Sequence, residues 1–226
     1  MTTTLIFVRH CEADGNINRV FHGHTDSQIS ENGRRQLLLL SDRFKSVRFD
    51  RICSSPLIRA MLTAQAVNSS LMLPIEPCGG LIEINGGHWE GKRWRDLPFL
   101  YPQESYDWAK APHNFSPEGG ESMRRLRERI SRTAADIAGR NTGKTIVCVS
   151  HGCAIRNLIC WAKGMPIERL DEVPWGENTA VSILEFDEHM RPGLVLENDC
   201  SHLSDEVKTL ARQDWWKKDK LEEMFY

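Results

Sequence analysis

The residue types best suited to bond-making chemistry stand at the ends of two apolar runs. Arg9 and His10 follow the first, within Leu5–Glu12 (LIFVRHCE), and His151 follows the second, within Thr145–Gly152 (TIVCVSHG). Histidine is the side chain best suited to nucleophilic and proton-transfer work near neutral pH. Arginine offers planar, bidentate donors to phosphate oxygens. Phosphoryl transfer without a metal needs a nucleophile, cations to neutralise the phosphate and a proton donor for the departing oxygen. The chain has a candidate for each: His10 as nucleophile, Arg9, Arg59 and His151 as donors to phosphate, and the carboxyl of Glu83 as acid.

These residues are scattered along the sequence, so the elements between them must gather them. Short runs rich in Ile and Val read as buried strands. That pattern predicts strands at Thr3–Val8, Arg51–Cys53, Leu73–Glu76 and Thr145–Val149, with two late strands at Ala180–Phe186 and Leu194–Glu197. Helices are predicted at Glu31–Lys45 with Ser30 as N-cap, from Pro56 to Asn68, at Glu121–Ala138 with Gly143 closing it, and at Ala154–Lys163. Ile17–Ile29 reads as a long loop, Trp94–Lys110 as partly helical and Ala111–Gly120 as a loop. Strands alternating with helices imply an α/β fold: a mostly parallel central sheet with helices on both faces. Ligands of such sheets bind at the carboxyl ends of the strands, where Arg9, His10 and His151 fall. No linker divides residues 1–226, so a single domain is expected, with an excursion over the site at about 86–120 and a polar, Trp-containing tail at about 203–226.

Composition narrows the class. Hydrophobic residues make up 40% and charged residues 27%, and the formal net charge is −2, unlike the basic footprint of a nucleic-acid binder. No nucleic-acid partner and no membrane span are expected, and the N-terminus lacks the basic and apolar regions of a signal peptide, which points to a cytoplasmic protein. The seven cysteines are odd in number and form no C-x-x-C pair, so free thiols are expected and no metal site. Gly139–Thr145 (GRNTGKT) imitates a P-loop, but it is one residue short and precedes a strand instead of following one. There is no G-x-S-x-G and no G-x-G-x-x-G, which removes the serine-hydrolase and dinucleotide-binding readings.

Taken in order, the motifs resemble those of the histidine phosphatase superfamily, the phosphoglycerate mutase-like family, from about Leu5 to Glu185. Arg9-His10-Cys11-Glu12 is similar to the family's Arg-His-Gly-Glu signature, and Ser54–Ala64 (SSPLIRAMLTA) to the segment carrying its second phosphate arginine, here Arg59. Glu83–Gly91 (EINGGHWEG) is similar to its acid-loop motif, Phe21–Gly33 to its Gly…Asp…Gly segment, and Pro117–Ser122 (PEGGES) and Val149–Arg156 (VSHGCAIR) complete the set. The resemblance implies a phosphoglycerate mutase-like fold. It implies that His10 becomes phosphorylated, that Arg9, Arg59 and His151 bind the phosphoryl group, and that Glu83 is the general acid and then the base. It further implies that Asn16, His22, Gly23 and Gly152 line the phosphate pocket and that no cofactor or metal takes part. The implied activity is a phosphomonoesterase acting on a small phosphorylated metabolite. The alternatives are a cofactor-dependent phosphoglycerate mutase, against which the short stretch between Glu83 and Ser150 argues, and a non-catalytic binding protein on the same fold.

The residues taken singly admit plainer readings. A lone histidine after a strand is more often a capping residue, and Glu90 and Glu12 compete with Glu83 for the acid role. Three departures from the family pattern stand out. Cys11 replaces a glycine and would place an oxidisable thiol beside the nucleophile. Gly15 replaces a common tryptophan and would loosen its loop. His22 stands where Gln, Ser or Thr is usual. The Trp215-Trp216 pair is a candidate contact for a homodimer.

Overall fold

In the computed structural model, which describes residues 1–213, the expected strands form one six-stranded sheet. The strands are β1 (Thr3–Arg9), β2 (Arg51–Ser54), β3 (Ile75–Pro77), β4 (Thr145–Ser150), β5 (Val181–Phe186) and β6 (Pro192–Asp199), in the spatial order β3-β2-β4-β1-β5-β6. The pairs β1–β4, β2–β4 and β2–β3 are parallel, and β5 runs antiparallel to both neighbours. The described helices are α1 (Asp14–Ile17), α2 (Glu31–Phe44), α3 (Ile58–Val67), α4 (Leu97–Leu100), α5 (Pro102–Lys110), α6 (Met123–Gly139) and α7 (Gly152–Ala162).

The central strands are apolar on both sides because both faces are covered. Leu5 and Phe7 of β1, with Ile146 and Cys148 of β4, pack under α6 and α7 against Leu126, Ile130 and Leu158. The alternate residues Ile6, Val8, Val147 and Val149 face Leu40, Phe44, Ala60 and Ala64 of α2 and α3. This two-sided burial fixes the register, since a slip of one residue would exchange the faces. The register pairs Val8 with Val149 and Arg9 with Ser150. The next residues along each strand are His10 and His151, and the His10 N–H donates to Ser150 O at 2.9 Å. The sheet thus places the two histidines side by side.

Several element boundaries differ from the sequence reading. The third helix begins at Ile58, not at Pro56, because its first N–H is met by the Asp26 carboxylate from a distant loop (Ile58 N to Asp26 Oδ1, 2.9 Å). Arg59 therefore sits in the first turn of α3. The loop read over Ile17–Ile29 is preceded by the single turn α1, and β6 extends beyond Leu194–Glu197 at both ends. Helix α6 ends at Gly139, with Gly143 (φ +76°) closing the following turn. In the tail, residues 203–213 carry two short 3₁₀ turns, and Trp215-Trp216 lies outside the described residues. That tail segment is tied to the body by Gln36 Nε2 to Val207 O (2.8 Å) and Thr209 Oγ1 to the Glu12 carboxylate (2.8 Å). No described helix is long and apolar enough to cross a membrane.

Ser30 links two of these features. Its hydroxyl oxygen accepts the Gly33 N–H at 2.8 Å as the N-cap of α2 and donates to Glu12 at 2.6 Å. Ser30→Ala is expected to cost about 1–2 kcal/mol of unfolding free energy, the range for a lost cap, read as a lower urea midpoint with an unchanged m-value.

Candidate active site

His10 is the best-defined group of the site. Its Nδ1 lies 2.6 Å from Cys11 O. A carbonyl only accepts, so Nδ1 carries the hydrogen and Nε2 keeps a bare lone pair. The neutral ring is thus held in the tautomer that makes Nε2 a nucleophile. The surrounding backbone is fixed by Asn178 Nδ2 donating to His10 O (2.8 Å) and by the Cys11 N–H donating to Thr63 Oγ1 (3.0 Å).

Two further imidazoles and two guanidinium groups surround this ring. The His151 ring centroid is 5.0 Å from that of His10, and the His22 centroid 6.1 Å. His151 Nε2 meets Ser55 Oγ at 2.7 Å. Ser55 Oγ also accepts the Leu57 N–H; with its own hydrogen given to Nε2, the donor on His151 is Nδ1–H. Arg59 is fully buried and gripped by main-chain carbonyls: Nη1 donates to Thr25 O (3.0 Å) and Nη2 to His22 O (3.1 Å) and Gly23 O (2.8 Å). Arg9 donates from Nη1 to Gly176 O at 2.6 Å. Three buried donors in this cluster lack a partner: Arg9 Nε, Arg59 Nε and His151 Nδ1. Buried donors are normally satisfied, and unsatisfied ones cost about 1–3 kcal/mol each. Three of them beside the His10 ring form a cluster suited to an anion.

The electrostatics follow from burial. Desolvation, reinforced by Arg59, holds the His10 and His151 imidazoles well below the usual histidine range, so both are neutral at physiological pH. Burial and Arg59 push His22 down to about 3. Desolvation also lowers Arg59, to about 10, against the opposing pull of Glu83, Asp26 and Glu90. It lowers Arg9 as well, against Glu177 and Glu83.

The three glutamates divide cleanly. Glu90 accepts from the N–H groups of Gly23 (3.1 Å), His24 (2.9 Å), Thr25 (3.0 Å) and Gly86 (2.9 Å) and from Thr25 Oγ1 (2.6 Å). It ties down the loop whose carbonyls hold Arg59. Glu12 is enclosed by Ser30, Asn32 and Thr209. Only Glu83 lines the same pocket as Arg9 and His10. Its carboxylate rests on the start of α7, accepting from Cys153 N (Oε2, 3.0 Å) and Ala154 N (Oε1, 3.0 Å).

Asn16, His22, Gly23 and Gly152 line this pocket too, whereas Arg59 and His151 stand behind its surface. The glycines are there because the walls touch. A Cβ on Gly23 would lie 2.0 Å from Ile84 O, and one on Gly152 would meet Arg9 Nε at 3.2 Å and Trp175 at 3.4 Å. A Cβ on Gly15 would lie 2.3 Å from the His22 ring. The unusual Gly15 and His22 are thus one feature, the imidazole occupying the space the glycine leaves, and the loop is filled rather than loosened. Among the described residues no group of three or more His, Cys, Asp or Glu is placed to hold a metal ion.

A family model for the histidine phosphatase superfamily (branch 1) matches residues 5–199. The chain belongs to this superfamily. It is 29% identical to phosphoserine phosphatase 1 of Hydrogenobacter thermophilus over 89% of this chain and 94% of that protein. It is 30% identical to the adenosylcobalamin/alpha-ribazole phosphatase of Escherichia coli over 76% of this chain and 87% of that one. Among solved structures, Bacillus stearothermophilus YhfR superposes with a TM-score of 0.85 at 31% identity, covering 89% of this chain and all of that one. The class of the protein is that of a phosphatase-type enzyme on a phosphoglycerate mutase-like fold.

Within this histidine phosphatase, Cys11 departs from its expected behaviour. The side chain is fully buried, and burial pushes the thiol up to about 11, so no thiolate is available for oxidation. Sequence reasoning also passed over Ser55, which orients His151, although it stands in the quoted Ser54–Ala64 motif. It passed over Arg129 as well, one arginine among many on α6.

Two outcomes follow. His10, His22 and His151 resist protonation when folded but accept it near pH 6.5 when unfolded, so stability is lost as pH falls below about 6.5. Roughly 2 kcal/mol per histidine is expected by pH 5. Urea titrations at pH 7 and pH 5 should show this loss, and His22→Asn should lessen it. Iodoacetamide on the native protein is expected to leave the Cys11 peptide unmodified by mass spectrometry; ready labelling without unfolding would contradict the buried, protonated thiol.

Proposed function

We propose that this chain hydrolyses the monophosphate ester of a small metabolite in two steps through a phosphohistidine at His10. The observation that carries this reading is the set of three unpartnered donors, Arg9 Nε, Arg59 Nε and His151 Nδ1, beside an imidazole whose Nδ1–H is already committed to Cys11 O. In the first step His10 Nε2 attacks phosphorus, the P–O ester bond breaks, and the departing alkoxide takes a proton from Glu83. In the second step water attacks the phosphohistidine and gives its proton to the Glu83 carboxylate, the P–N bond breaks, and inorganic phosphate leaves with His10 neutral again. Arg9, Arg59 and His151 donate to the equatorial oxygens and hold the charge that develops there. Asn16, His22 and the backbone at Gly23 and Gly152 frame the same oxygens. Residues 1–226 act in this reading as one domain.

Hydrolysis is favoured over the mutase alternative by the pocket wall. A mutase must hold a second anionic group, yet the pocket lining contains one arginine, Arg9, and no lysine. The rest of the wall is largely apolar, with Phe21, Ile84, Trp94, Trp108 and Trp175. Trp175 rests on the Arg156 guanidinium, 4.7 Å from its ring centroid, and Trp108 packs on Phe115 at 4.9 Å. Fixed indoles suit an alcohol with a flat, uncharged body better than one carrying a carboxylate. The relatives named for phosphoserine and for alpha-ribazole phosphate supply the two ends of a substrate panel.

His10→Ala is expected to abolish turnover of p-nitrophenyl phosphate, a loss of at least about 10⁴-fold for a removed nucleophile. Rapid alkaline quench of the wild type with ³²P-labelled ester should trap an acid-labile phosphoryl group on the His10 peptide. EDTA should leave the rate unchanged. Unchanged turnover by His10→Ala would sink the mechanism, and 3-phosphoglycerate isomerisation far faster than hydrolysis would restore the mutase reading.

A further inference from the structure

The segment that carries Glu83 has almost no regular structure, yet its main chain is pinned at nearly every carbonyl. Ser150 Oγ donates to Leu81 O at 2.7 Å, and the Glu121 N–H donates to Asn85 O at 2.8 Å. Three more carbonyls converge on Arg129 of α6. Its Nη1 donates to Gly80 O (3.0 Å) and Ile82 O (2.9 Å), and its Nη2 to Glu83 O (3.2 Å). Its Nε and Nη2 also hold the Glu121 carboxylate in a bidentate pair, at 2.8 Å and 2.7 Å. The five N–H groups of one guanidinium are thereby matched to five bonds, three of them to successive turns of the acid loop. Glu83 O receives one further donor, His24 Nε2 at 3.0 Å.

We infer that Arg129, oriented by Glu121, is a positioning residue that sets where the Glu83 carboxyl meets the leaving oxygen. The inference rests on the reading of Glu83 as the general acid. Arg129 does not line the pocket, and its hydrogen bonds reach the site only through the loop, although its charge also bears on His151. The fork is needed for this: a lysine keeps the charge but has no planar array that could reach Gly80 O, Ile82 O and the Glu121 carboxylate together. The ion pair itself is not the point, since a partly exposed pair adds little by itself. What it supplies is the orientation of the three loop-facing N–H groups.

A general acid matters in proportion to the basicity of the leaving group, which gives a test that mere weakening of the fold would not pass. The experiment compares kcat/KM for an alkyl monophosphate, whose alkoxide needs a proton, with that for p-nitrophenyl phosphate, whose phenolate leaves without one. Glu83→Gln, Arg129→Gln, Arg129→Lys and Glu121→Gln are measured alongside wild type, with melting temperatures. Glu83→Gln is expected to lose ~10²-fold or more on the alkyl ester and far less on the aryl ester. Both Arg129 variants should repeat that selectivity at ~10-fold, mainly in kcat, and Glu121→Gln should do so more weakly. Equal losses on both esters, or none on either, in Arg129→Gln and Arg129→Lys would overturn the positioning role if Glu83→Gln is selective. If Glu83→Gln itself shows no selectivity, the acid assignment falls first and the inference falls with it. If Arg129→Gln does not fold, Arg129→Lys and Glu121→Gln carry the comparison.

Discussion

The organising constraint in this protein is the burial of two guanidinium groups next to three neutral imidazoles. Taking a cation out of water costs several kcal/mol unless it is met by polar partners. Here the nearby carboxylates bond to backbone N–H groups, Glu90 to the loop over residues 23–25 and Glu83 to the start of α7, and act on Arg59 only through space. Arg59 is stabilised instead by a crown of carbonyls from His22, Gly23 and Thr25. Carbonyls hold a guanidinium without neutralising it. The net positive field therefore survives and bears on His10, His22 and His151, which is why burial and the arginines together keep all three rings deprotonated. A charged pocket with a neutral nucleophile is what attack on a phosphate dianion requires.

Much of the remaining structure holds that pocket in place. The loop that grips Arg59 is folded onto Glu90. The backbone after His10 is gripped by Thr63, whose own hydroxyl donates to Arg59 O at 2.7 Å. The tail reaches the same neighbourhood, where Glu177 accepts the N–H groups of Thr209 and Leu210 and Gln213 Nε2 donates to Asn16 O at 3.0 Å. These loops around the pocket are held by polar side chains from other parts of the sequence. Cooperative networks of this kind fix geometry more than they add net stability.

The parts of this arrangement that were legible in the sequence are those written in local pattern. The apolar runs ending at His10 and His151 gave the strands, and the parallel register then made the two rings neighbours without further information. The start of α3 was misread because Pro56 is a good first helical residue by itself, whereas the N–H that decides the boundary is capped by Asp26, far away in sequence. Glu83 could be separated from Glu90 only once the pocket was formed, since both are acidic residues in one Gly-rich stretch. Gly15 and His22 read as two separate oddities until the distance from the glycine to the ring joined them. Arg129 carried no signal at all, because a surface-helix arginine and a guanidinium that clasps a loop look the same in a periodic pattern.

The start of α7 explains why the anion site is built from side chains. A helix N-terminus commonly binds phosphate through its free N–H groups. In this helix the N–H groups of Cys153 and Ala154 are taken by the Glu83 carboxylate. In the proposed reaction the phosphate is then met by Arg9, Arg59 and His151, the groups whose buried donors stand without partners. The same substitution places the carboxyl at the edge of the cation cluster, next to Gly152 and Trp175, where a leaving alcohol would emerge from the pocket. In the proposed mechanism one helix end thus separates the two tasks, charge stabilisation on the arginine side and proton delivery on the carboxyl side. The separation holds only as long as the loop from Gly80 to Glu83 keeps the carboxyl on its cap.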